Sequence, residues 1–144
     1  LHPDRIGKSV VVVGGGQVGC ETAVHFAQQG KSVTVLEMRS QLAPDAMRTY
    51  REELLGQVAD HARAITDAKV IQIGDTGVSY SDQKGDVHTL PADTVILAAG
   101  MRARSAEAEA FRSCARYFRK LGDCVQVGNV STAIHEAYDV AMTI

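Results

Sequence analysis

The chain predicts an α/β fold built on a parallel sheet, and three observations carry that expectation. First, Val10-Val11-Val12-Val13 runs directly into Gly14-Gly15-Gly16-Gln17-Val18-Gly19, a G-x-G-x-x-G turn entered from an apolar strand. Second, the small and apolar residues Cys20, Ala23, Val24 and Ala27 recur at helical spacing before Val33-Thr34-Val35-Leu36 ends in an acid, Glu37. Third, short alternating segments separated by turn glycines follow between residues 69 and 90. A Rossmann-like three-layer parallel sheet with an antiparallel three-stranded meander as one crossover accounts for all three.

Each element has its own warrant. Residues 8–13 form an uninterrupted apolar run that stops at glycine, as a parallel strand buried on both faces does. The helix over 17–29 ends at Gly30, and a second parallel strand covers 32–37, completing a βαβ unit expected to be right-handed. After Pro44, Asp45 is the expected cap of a helix whose stripe is Met47, Tyr50, Leu54 and Val58. A short third strand is expected over 62–65. The period then changes to two. Residues 69–73, 77–81 and 86–90 are short strands joined at Gly74-Asp75-Thr76-Gly77 and Gln83-Lys84-Gly85. Pro91-Ala92-Asp93 closes the meander, and residues 94–98 return as a buried parallel strand ending in Ala99-Gly100.

Beyond Gly100 the composition shifts. Six basic residues (Arg102, Arg104, Arg112, Arg116, Arg119 and Lys120) face only Glu107 and Glu109. They read as a solvated helix and linker, with a phosphate or partner-domain contact as the other reading. A strand into the Gly122-Asp123 turn follows. A last helix over 132–144 carries Ala133, Ile134, Ala137, Val140 and Ala141 on one face.

Composition excludes several classes. Of 144 residues 45% are hydrophobic, enough for one domain with a real core. Lys and Arg number 15 against 17 Asp and Glu, so a net charge of −2 gives no electrostatic case for nucleic acid. No apolar run approaches the roughly 18 residues of a membrane span, and no signal peptide is visible. Cys20, Cys114 and Cys124 lack metal-ligand or C-x-x-C spacing and read as buried thiols in a reducing cytoplasm. Leu1 at the start and a helix at the end suggest a piece of a longer chain.

The glycine turn suits a dinucleotide. Gly14 permits the tight turn, Gly16 admits the pyrophosphate, and Gly19 lets helix and strand pack closely. With Gly15, Gln17 and Val18 they bring the phosphates to the positive end of a helix. Glu37 lies eighteen residues beyond Gly19, about where a carboxylate meets the adenosine ribose. A carboxylate there favours NADH over NADPH, while Arg39 two residues on could reach a 2′-phosphate. FAD is a third reading, since FAD sites also use an acid here. Met38, Arg39, Ala99 and Gly100 complete the expected cofactor site.

Four blocks resemble the two-dinucleotide-domain flavoprotein reductases, and more narrowly the NADH:flavin oxidoreductases related to 2,4-dienoyl-CoA reductase, 2-enoate reductase and trimethylamine dehydrogenase. Residues 7–23 are similar to that family's NADH fingerprint, and 91–100 to the strand and glycine turn that close its NADH domain. Leu121-Gly122-Asp123-Cys124 resembles the segment in which an aspartate meets the FAD, and residues 133–138 the helix facing the flavin. The resemblance implies an NAD(P)H-binding domain over 1–113 and a returning segment of an FAD domain over 114–144, with Gly122 and Asp123 at the flavin. It implies FAD in the full-length parent, with FMN and an iron–sulfur cluster possible there and not in this chain. A second dinucleotide fingerprint is missing from the sequence, and Val127-Gly128 stands where the family often has Pro-Gly.

The activity implied is positioning of NADH for hydride transfer to a flavin, chemistry that belongs to the cofactors. No catalytic residue and no metal ligand is therefore assigned. His25, His61 and His88 read as packing or surface, with no Ser, Cys or Asp partner suggested nearby in sequence. His135 lies beside the presumed flavin helix and is allowed a functional contact. Glu21 follows the family's NADH pattern or, alternatively, stabilises the first helical turn. The expected partners are the dinucleotide and the remaining domains of the parent, with no membrane, and the oligomeric state stays open. The rivals are a non-catalytic NAD-sensing regulatory domain and an ordinary dehydrogenase without its substrate domain.

Overall fold

A strand carrying four consecutive valines buries both faces, and here it does so against two different layers. The computed structural model describes residues 5–143. Strand β1 (Ser9–Val13) is the centre of a four-stranded parallel sheet with β2 (Ser32–Leu36), β3 (Arg63–Ile65) and β7 (Thr94–Leu97), ordered β3-β2-β1-β7. Register runs Val10↔Val33 and Val12↔Val35 on one side and Val10↔Thr94 and Val12↔Ile96 on the other. Val10 and Val12 pack with Ala23 and Phe26 of helix α1 (Gln17–Gln28), while Val11 packs with Leu36, Val78 and Tyr80. Helices therefore cover one face. The antiparallel sheet β4 (Lys69–Gly74), β5 (Gly77–Ser81) and β6 (Val87–Pro91) covers the other. The three-layer sheet and its meander crossover are as the periodicities predict.

The meander is tied back to the sheet by one side chain. Asp93 Oδ2 accepts from the amides of Lys8 (3.1 Å) and Ser9 (2.9 Å), fixing the exit of β6 against the start of β1. Strand β7 is half-buried rather than buried, and Leu97 is 69% exposed, because it lies at the sheet edge with a neighbour on one side only.

Helix α2 (Arg48–His61) corrects two expectations. Its N-cap is Met47, with no side chain accepting from the first turn, so Asp45 does not cap it. Buried Ala43, held at φ +44, and Pro44 turn the chain ahead of the helix, and the Asp45 carboxylate lies 3.8 Å from Arg39 instead. The expected stripe also narrows. Leu54 and Val58 are buried against Cys20 and Val24, while Met47 is 75% exposed and Tyr50 lies at the surface.

The contacts divide the chain after Gly100. In the unit that begins at Met101, α3 (Ser105–Glu109) is followed by two single 3₁₀ turns, Arg112–Cys114 and Gly122–Cys124. Arg104 pairs with Glu107, and Arg112 and Lys120 both pair with Glu109, so half of the basic residues meet acids. Among the described residues of this unit no strand leads into the Gly122-Asp123 turn, contrary to the expectation from the sequence. Among the described residues this unit has no strand whose backbone could complete a ladder. Helix α4 (Val130–Ala141) starts earlier than expected because Asn129 caps it, accepting from Thr132 N at 2.9 Å. Its apolar face is not buried within this unit: Ala133 and Val140 are half-covered and Ile134 is exposed. Among the described residues no helix is long and apolar enough to cross a membrane.

Candidate functional site

The C-terminal ends of β1, β2 and β7 open into a cleft of about 420 Å3, the position at which parallel α/β sheets hold ligands. Gly14, Gly16, Glu37, Met38, Arg39, Ala99 and Gly100 line it. Gly15, Gln17, Val18 and Gly19 form the turn and first helical residues beside it. Eleven of the thirteen residues expected at a cofactor thus fall on one locus, the other two being Gly122 and Asp123 in the unit after Gly100.

Sterics explain the glycines. Gly14 sits at φ +106, where an added Cβ would stand 2.4 Å from the Ala98 carbonyl oxygen. At Gly19 a Cβ would come within 1.9 Å of the Gly14 carbonyl oxygen, so the helix can approach the strand only without a side chain. Gly16 differs: nothing lies within 4 Å of its Cβ position, which leaves open space at the mouth of the helix. The first bond closing α1 is Cys20 N to Gly16 O at 3.0 Å. The amides of Gln17, Val18 and Gly19 consequently have no intrahelical acceptor, and no side chain caps them. Free amides, the positive end of a twelve-residue helix and an empty position at Gly16 together suit an anion such as a pyrophosphate.

Glu37 is the buried charged residue of the site, 8% exposed. The Gly15 amide donates to its Oε2 at 2.6 Å and the Arg39 amide to its Oε1 at 2.8 Å. Two charge-assisted bonds fix the carboxylate, and each oxygen keeps a further lone-pair direction for a hydroxyl donor. The carboxylate and the glycine turn are therefore joined through the Gly15 amide. Further down the helix, Cys20 is wholly buried with Sγ 3.4 Å from the Gly15 carbonyl. Burial, reinforced by Glu37 and Glu21, pushes its thiol up to about 11, which leaves it unreactive at neutral pH.

Glu21 lies outside the first turn of α1, which contains no acid, so the reading of a first-turn dipole partner does not hold. Its carboxylate accepts from Tyr50 Oη at 2.6 Å and Gln17 Nε2 at 2.9 Å, tying α2 to α1 and raising the Tyr50 hydroxyl above its ordinary range. His25, His61, His88 and His135 are all at the surface. His88 nonetheless has an acidic partner that the linear reading missed. The hairpin folds Asp82 back to 2.8 Å from its Nε2, and Tyr80 stacks on the ring at 5.2 Å. In the unit after Gly100, the Gly122 amide donates to Glu136 Oε2 at 2.6 Å, and Asp123 Oδ1 accepts from Gly128 N at 3.1 Å.

Sequence reasoning missed Pro44, Asp45 and the Ala68–Val70 stretch as cleft walls. A signal existed for the last of these. Any segment leaving β3 for the meander must pass over the strand ends where the glycine turn lies.

Comparison with known proteins agrees with this geometry. The sequence profile of the pyridine nucleotide-disulphide oxidoreductase family matches residues 1–116. The chain is 32% identical to the bilirubin reductase of Mediterraneibacter gnavus over 139 residues, covering 95% of the chain and 22% of that protein. It is 30% identical to the cinnamate reductase of Clostridium sporogenes over 156 residues, covering 100% and 22% respectively. Among solved structures, a 2-naphthoyl-CoA reductase complex superposes with a TM-score of 0.85 at 33% identity, over 96% of this chain and 21% of that one. The chain thus spans under a quarter of the length of these relatives. Glycine turn, carboxylate, parallel sheet and profile coincide over the same residues, and the chain belongs to the pyridine nucleotide-disulphide oxidoreductase family.

Proposed function

We propose that the chain is the NADH-binding part of a flavin-dependent oxidoreductase, holding NADH so that its hydride passes to a flavin in the parent protein. The observation that carries this reading is Glu37, buried at the end of β2 and held by two amides with acceptor capacity to spare. A fixed carboxylate accepts from a 2′-hydroxyl and repels a 2′-phosphate, which favours NADH over NADPH. The pyrophosphate lies on the amides after Gly16, with Gly14, Gly15, Gln17, Val18 and Gly19 shaping its seat. Met38, Arg39, Ala99 and Gly100 line the remainder. NADH supplies the hydride when bound. The protein's own residues bind and orient the nucleotide, and none of them needs to move a proton.

The parent, on this reading, is a reductase of the kind that its relatives' names describe, close to the 2,4-dienoyl-CoA and 2-enoate reductases. Residues 1–113 are its NADH domain and 114–144 a segment returning to an FAD domain, where Gly122 and Asp123 meet the flavin. Its remaining domains are the partners of this chain. Their substrate is a matter for the residues those domains supply. The test is nucleotide titration of Glu37→Ala by NADH fluorescence. NADH affinity falls about tenfold, the loss of one or two charge-assisted bonds, and the gap to NADPH narrows. An unchanged NADH/NADPH ratio would sink the assignment. Titration with FAD decides against the rival that this cleft holds the flavin, which predicts tighter FAD than NADH.

A further inference from the structure

Besides buried Glu37, the cleft wall carries a second carboxylate, the exposed Asp45, on a loop whose backbone is anchored to the glycine turn. Loop 38–47 is strapped to the glycine turn: Ala43 N donates to Gly15 O at 2.8 Å, and Leu42 presses on Gly15, where a Cβ would meet it at 2.4 Å. Arg51 Nε donates to Leu42 O at 3.0 Å from the helix side. Asp45 stands two residues beyond that anchor, across Pro44. Arg39 is held at both ends of its main chain, its amide on Glu37 Oε1 and its carbonyl accepting from Asp67 N at 3.0 Å. The side chains meet with Nη1 3.8 Å from Oδ2, at 64% and 91% exposure.

We propose that Asp45 is a specificity-determining residue of this cleft, holding the Arg39 guanidinium and cancelling its charge so that a 2′-phosphate finds no net cation beside the ribose. The inference rests on the NADH reading above and assigns its selectivity to a second residue. Charge bookkeeping gives the direction. Glu37 and Asp45 offset Arg39 and Lys69 among the ionisable side chains lining the cleft. Neutralising Asp45 leaves one net positive charge within reach of a group carrying close to two negative charges. As a stability contact an exposed pair of this length is worth little. As a point charge a few ångströms from a phosphate it counts: about 0.8 kcal/mol per pair of unit charges at 5 Å in water, a factor of about four. For a near-dianion that factor becomes roughly three- to tenfold after screening.

The test is titration of the whole chain with NADH and NADPH, and with 5′-AMP and adenosine 2′,5′-bisphosphate, for wild type, Asp45→Asn, Arg39→Gln and the double variant. Circular dichroism checks each fold. Asp45→Asn is expected to strengthen both 2′-phosphorylated probes three- to tenfold, with NADH and 5′-AMP moving less than twofold. That gain shrinks in high salt and, because point charges add, is about as large when Arg39 is already glutamine, while Arg39→Gln alone weakens both 2′-phosphorylated probes. Equal movement of both classes of probe, or no gain for the 2′-phosphorylated pair, overturns the role of Asp45 while leaving the NADH reading intact. A wild-type chain that binds neither NADH nor 5′-AMP overturns both.

Discussion

At the scale of single residues, the site is organised by what cannot be there as much as by what is. Gly19 admits no methyl because the Gly14 carbonyl oxygen stands where it would go, and Gly16 admits one freely. The first glycine packs the fold; the second leaves room for a ligand. Cys20 belongs to the same packing. Its thiol, moved from its ordinary value near 9 up to about 11, is buried beside Glu37 and Glu21. Iodoacetamide at pH 8 should therefore modify exposed Cys114 and leave Cys20 untouched, as peptide mass spectrometry would read. The sign of the linkage follows from a raised value. The neutral thiol favours the folded chain below about pH 9, and that preference is lost as pH rises through about 11. Rapid labelling of Cys20 in folded protein at pH 8 would contradict its burial. The glycine turn and Glu37 were legible from spacing alone, because glycine type, helix start and terminal acid follow in one continuous segment. Asp45 and Lys69 were not, since their place in the cleft depends on loops that return from elsewhere.

Among the elements, periodicity served best where the pattern of burial along a strand is regular. The valine run of β1 was legible because layers cover both its faces, and the alternation of β5 because one face, with Val78 and Tyr80, turns inward and the other does not. Prediction failed at helix starts and at the segment before Gly122. An acid followed by a helical pattern suggests a cap, yet Asp45 lies too far ahead of Arg48 once Ala43 and Pro44 have turned the chain. An apolar–basic run suggests a strand, yet a strand needs a neighbour that composition does not reveal. The cap that does form gives a prediction. Replacing Asn129 with alanine removes the acceptor for Thr132 N and should cost about 1 kcal/mol of local stability in α4. Hydrogen exchange would report faster amides at the start of that helix and unchanged protection in β1. Uniform loss of protection across both would mean that Asn129 does more than cap.

For the whole molecule, the division after Gly100 separates two kinds of sequence. The first unit buries a core on both faces of its sheet, and the second exposes Ile134, Tyr138 and Met142 along α4. Only one glycine fingerprint of the dinucleotide type is present, and it lies in the first unit. The chain alone should accordingly purify without stoichiometric FAD. Absorbance near 450 nm measures this, and a yellow protein with one flavin per chain would refute it. The architecture was legible in outline because βαβ units and meanders announce themselves over short stretches of sequence. Arrangements made by loops that return from distant segments leave no such local trace.

The bond from the Gly15 amide to Glu37 Oε2 carries one more consequence. It ties the glycine turn to the carboxylate at the end of β2, so on the nucleotide reading proposed above the two ends of the cleft cannot shift independently. Halves of a dinucleotide offered separately would then sense each other across the cleft, and their affinities would fail to add. Coupling of that sort would follow from one hydrogen bond between a main-chain amide and a side-chain carboxylate.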